Sequence, residues 1–93
     1  MKSDQLSEVF LKHLGARKDG AALLLPESAE ASILVGLEGE TLAIARITRV
    51  EIAESLITID TAKGDRYVVA AEDVRAVKIE REGTKRGGAA GFK

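Results

Sequence analysis

The chain has no cysteine, no tryptophan, one proline and one methionine among its 93 residues. Without cysteine there is no disulfide, no thiolate nucleophile and no sulfur ligand for a metal. Histidine is nearly as scarce. His13 is the only one, so a proton shuttle or metal site built on it would lack the positioned partner such chemistry needs. A half-buried residue at a helix edge is the expectation for it. Aromatic side chains are limited to Phe10, Tyr67 and Phe92, too few for single-strand binding that relies on base stacking. No segment approaches the roughly 18 apolar residues of a membrane span. The opening MKSDQLSEVF carries acidic residues at once, which argues against a secretory signal, and cytoplasm is the default location. Net charge is −1 and the isoelectric point about 5.8, which gives no global attraction to nucleic acid or an anionic membrane.

What is there is ordinary globular material: 45% apolar and 31% charged residues, in one domain's length. A domain of this size folds alone with little to spare, and oligomerisation is a common support. The organising stretch runs from Ser32 to Glu80. Ser32–Leu37 alternates Ile33, Val35 and Leu37 on one face, and Glu38-Gly39-Glu40 follows as a turn. Thr41–Ala53 places Leu42, Ile44, Val50 and Ile52 on one face and Ala43, Ala45, Ile47, Arg49 and Glu51 on the other. Its length predicts a bend or bulge near Arg46–Thr48, so that one strand serves both sides of a curled sheet. After a turn at Glu54-Ser55, Leu56–Ala62 and Arg66–Ala71 read as a hairpin closed by Lys63-Gly64-Asp65. Tyr67 and Val69 share a face of its return strand. Glu72-Asp73-Val74 reads as one short turn of 3₁₀ type, and Arg75–Glu80 resumes the alternation with Val77 and Ile79 inward. The fold class is therefore mainly β (α+β). An N-terminal helix precedes a small, strongly bent five-stranded antiparallel sheet or barrel.

The helix is predicted over residues 4–14, with Ser3 as N-cap and Gly15 just past its end. Leu6, Val9, Phe10 and Leu14 form a stripe along it, to be laid on the barrel or on a neighbouring subunit. Residues 16–20 read as a polar connector. Ala21–Leu25 is apolar, either a helical turn or an additional edge strand ended by Pro26. Residues 1–82 make the domain. Residues 83–93 form a Gly-rich tail read as flexible, in which Lys85, Arg86 and Lys93 give +3.

Motifs that carry chemistry are few. Gly36 and Gly39 lead into a strand rather than the helix a dinucleotide fingerprint requires, and no phosphate loop is present. Ser28, Ser32 and Ser55 have no identifiable base. The expectation is a protein that is not an enzyme and takes no cofactor or metal. The polar set that stands out is Arg46 and Arg49, with Arg66 and Arg75 on later strands. Converging on one face they would make an anion or phosphate site, extended by Lys85 and Arg86. The competing reading, which we favour, is cross-strand ion pairing with Glu51, Asp60 and Glu72.

The order of elements, with SILVGLEGETL at Ser32–Leu42 and YVVAAEDVRAVKI at Tyr67–Ile79, resembles the Sm-like fold and other SH3-like barrels. The resemblance covers about half of the chain. It implies a ring-forming oligomer with edge strands paired between subunits, and RNA as a partner. Glu54-Ser55 stands where Sm proteins place an Asn or Asp for uridine contact, so RNA binding would fall to Arg46, Arg49 and the basic tail. The leading functional expectation is a non-enzymatic binding or assembly module acting as a homo-oligomer, with itself or another protein as partner.

Overall fold

The computed structural model describes residues 1–82. Helix α1 (Ser3–His13) is followed by β1 (Arg17–Asp19), β2 (Ala22–Leu24), β3 (Glu30–Leu37), β4 (Glu40–Ile44) and β5 (Ile47–Ala53). Then come β6 (Leu56–Thr61), β7 (Arg66–Ala70), a 3₁₀ turn at Ala71–Asp73 and β8 (Val74–Arg81). Every strand pairing is antiparallel. The strands form a five-stranded sheet in the order β1-β2-β5-β6-β7 and a three-stranded sheet in the order β4-β3-β8. The architecture is mainly β with one N-terminal helix. No helix among the described residues is long and apolar enough to cross a membrane.

The long run from Thr41 to Ala53 does serve both sheets. It breaks at Ala45-Arg46, leaving β4 in one sheet and β5 in the other. Arg46 adopts a φ of 56°, a left-handed conformation that turns the chain sharply. Its carbonyl accepts a hydrogen bond from the Ala62 amide at 2.9 Å, which holds the corner. A register shift between Ile47 and Arg49 follows. That shift corrects the simple alternation: Ile47, expected opposite Val50, is buried beside it in the same core. An extra residue in one strand moves the next side chains to the other face.

A second correction concerns residues 16–20. They are not only a connector, because Arg17–Asp19 pairs with Ala22–Leu24. Gly20, at φ 67°, makes the tight turn between them; its lack of a Cβ makes that backbone conformation cheap. Residues 22–24 are thus a strand, placed between β1 and β5 rather than at an edge.

Leu6, Phe10 and Leu14 are fully buried, while Val9 is half-buried. Leu6, Phe10 and Leu14 join Leu23, Val50, Ile57 and Ile59 of one sheet and Ile33, Val35, Ile44 and Val74 of the other in a single cluster. Ser3 is the first helical residue rather than the cap. Its hydroxyl donates to the Glu54 carbonyl at 2.7 Å, and the Lys2 amide donates to Gln5 Oε1 at 3.3 Å. The Met1 amine donates to the carbonyls of Ala71 and Val74, at 3.1 and 2.9 Å. Helix α1 is therefore fastened at its start to the β5–β6 turn and the 3₁₀ turn.

Two substitutions separate core packing from backbone strain. Phe10→Ala should lower stability by about 3–5 kcal/mol, the usual range for emptying a buried aromatic site. Glu54, with a φ of 57° and an exposed side chain, sits where glycine is favoured. Glu54→Gly should raise stability by roughly 0.5–1 kcal/mol. Urea unfolding of both variants checks the two signs.

Candidate functional site

The outer face of the five-stranded sheet carries the densest polar arrangement. Cross-strand register lines up Leu24, Arg49, Asp60 and Arg66 in one row. The next row on the same face is Ala22, Glu51, Thr58 and Val68, and then Ala53, Leu56 and Ala70. Three adjacent strands thus bring together residues up to seventeen positions apart in the chain, from Arg49 to Arg66.

Arg66 makes a bidentate contact with Asp60: Nε donates to Oδ1 at 2.7 Å and an Nη to Oδ2 at 3.2 Å. Arg49 donates to Glu51 Oε1 at 3.1 Å and lies 3.6 Å from Asp60 Oδ2, the oxygen that also accepts from the Arg66 Nη. The planar fork of each guanidinium suits a carboxylate, and two forks on one acid orient each other. The hydrogen bond from Arg66 is the main reason the Asp60 carboxyl is held below the usual aspartate range, with the charges of Arg66 and Arg49 adding to it. The same hydrogen bond holds the Arg66 guanidinium above its ordinary value. Two cations meet two carboxylates, so the row presents almost no net charge to an incoming anion.

The remaining arginines lie elsewhere. Arg46 is exposed at the corner between β4 and β5, beside a shallow groove floored by Leu25, Pro26, Ala29, Ile47 and Ala62. The rim of that groove carries the Arg81–Glu30 ion pair at 3.0 Å. Arg75, on the three-stranded sheet, lies flat across Gly36. A Cβ at Gly36 would meet its guanidinium, the far end of a flexible and exposed side chain that would have to move aside. Lys85 and Arg86 lie outside the described residues. His13 is exposed at the end of α1, one residue past the Lys12–Glu8 pair. Among the described residues no group of three His, Asp or Glu is placed to hold a metal ion.

The sequence pattern drew attention to the arginines and passed over the apolar end of the same face. Val68 is 60% exposed and Leu56 52%, on neighbouring strands with Ala53 and Ala70 alongside. Alternation with inward Tyr67 and Val69 was the available signal for Val68. The helix stripe has gone the other way: Leu6, Phe10 and Leu14 are buried in the chain's own core and offer no surface to a partner.

The chain matches no family model, no curated protein and no solved structure.

Because the folded-state pKa of Asp60 is depressed, its contribution to stability is complete above the ordinary aspartate value. It is lost as pH falls below about 4 through the depressed value. Asp60→Asn should therefore be less stable than the parent protein near neutral pH, with the gap narrowing as pH falls toward 2. Urea midpoints measured from pH 7 to pH 2 check this; a gap constant with pH would show that the pairing contributes nothing.

Proposed function

We propose that the protein is a non-catalytic assembly module that works as a homo-oligomer. The observation that carries this reading is the state of the sheet edges. Neither sheet closes on itself among the described residues, and the five-stranded sheet ends on β7. An unpaired edge strand offers a row of free amides and carbonyls to another strand. Beside that edge lie Val68 and Leu56, two of the three large apolar side chains exposed among the described residues. Single exposed apolar residues are ordinary, but two neighbours at an open edge favour a protein partner.

The neutralised row supports the same reading against phosphate binding. Arg49 and Arg66 are engaged by Asp60 and Glu51, and counterion release requires cations that are free to meet phosphates. The resemblance to Sm-like proteins also agrees. That resemblance implies subunits joined through edge strands.

A native mass spectrum of freshly purified protein at low salt tests the proposal. The expected result is a defined multiple of the chain mass with no additional mass. A bare monomer at high concentration would overturn it. Extra mass removed by nuclease would overturn it in favour of RNA binding.

A further inference from the structure

The sheet edges are not equivalent, and the difference selects a contact. β1 is three residues long, all charged and exposed. β8 carries Arg75, Lys78 and Glu80 at exposed positions. Short length and charge are the usual protections of an edge strand. β4 exposes only Thr41 and Ala43 past its first residue. β7 has no charged residue between Arg66 and Glu72, and its central side chain, Val68, is the most exposed large apolar group among the described residues.

The hydrogen-bond phase of β7 can be derived. In its register with β6, residue numbers of partners alternate between bonded and non-bonded pairs. The Thr61 amide donates to Asp65 and the Ala71 amide to Ser55, each at the ends of that same register. The odd-numbered residues of β7 therefore bond to β6. The amides and carbonyls of Arg66, Val68 and Ala70 point to the free side.

We infer that β7 pairs antiparallel with β7 of a second copy about a two-fold axis at Val68. This deepens the homo-oligomer reading and rests on it. Val68 then faces Val68 of the second copy, and Arg66 faces Ala70. In that register every outward amide and carbonyl of the three residues finds a partner. On the opposite face Tyr67 meets Val69, two half-buried side chains that extend the core across the junction. Charge complementarity favours this direction. The strand is entered past Lys63, with Arg66 held by Asp60, and left through Glu72 and Asp73. Antiparallel pairing sets the basic entry of one copy beside the acidic exit of the other, whereas parallel pairing would set like beside like. Asp65, the one acid at the entry, lies next to the turn on the Tyr67 face. The contact is isologous, so it closes at two copies.

The absence of native cysteine allows a clean test on the full chain. Residues facing each other in a bonded antiparallel pair have Cα atoms about 5.5 Å apart, within the range a disulfide spans. Val68→Cys is expected to convert largely to a covalent dimer under mild oxidation, while Lys78→Cys, on the β8 edge, stays monomeric on a non-reducing gel. Val68→Lys sets two cations face to face and is expected to weaken dimerisation at least tenfold in sedimentation, with an unchanged circular dichroism spectrum. If Val68→Cys does not cross-link while the parent protein is oligomeric, the β7 contact is wrong and the assembly reading stands. Cross-linking through Lys78→Cys instead would likewise overturn the β7 pairing. A monomeric parent protein would remove both.

Discussion

Burial of Leu6, Phe10 and Leu14 against both sheets is the interaction on which the rest of the molecule depends. A three-stranded sheet and a five-stranded sheet each have one face to cover, and neither is large enough to do so alone. The helix supplies the side chains that make one cluster out of two apolar faces. Each fully buried side chain of this size contributes about 1.5–3 kcal/mol from removal of apolar surface from water. Met1 and Ser3 then hold the helix start in place through hydrogen bonds to the turns beneath it. With the stripe consumed inside, the surfaces left for a partner are the outer sheet faces and the strand edges.

The outer face of the larger sheet divides into two regions of different chemistry. At one end the Arg49–Asp60–Arg66 row is satisfied within the chain. Exposed ion pairs of this kind contribute roughly 0–1 kcal/mol to stability, so their main consequence is to cancel local charge and fix side-chain direction. At the other end Leu56, Val68 and Ala70 lie beside free backbone groups. The same three strands carry both regions, and the position of a residue along the strand decides which one it joins.

Much of this fold was legible in the residues. Period-two alternation of Ile, Val and Thr placed the strands from Ser32 to Glu80, and the three-to-four spacing of Leu6, Phe10 and Leu14 placed the helix. The bend in the Thr41–Ala53 run followed from its length. The ion pairing of Arg49 and Arg66 with Glu51 and Asp60 was one of two readings, because strands joined by short turns bring those residues together. β1 left no signal, since Arg17-Lys18-Asp19 is wholly charged and is held by backbone pairing with β2. The burial of Ile47 was hidden for a related reason: the bulge after Arg46 changes the phase, and periodicity alone assumes a regular strand.

The sequence by itself determined the type of each long element, because propensity and hydrophobic period are local properties that neighbouring residues carry. It also determined the absence of thiol chemistry. Only the tertiary structure decided how the strands divide between two sheets, which edge is left bare, and which arginines are neutralised. Those outcomes depend on register and on contacts between residues distant in the chain. Val68 shows the difference: its alternation marks it as facing away from Tyr67 and Val69, but its exposure depends on β7 ending the sheet among the described residues.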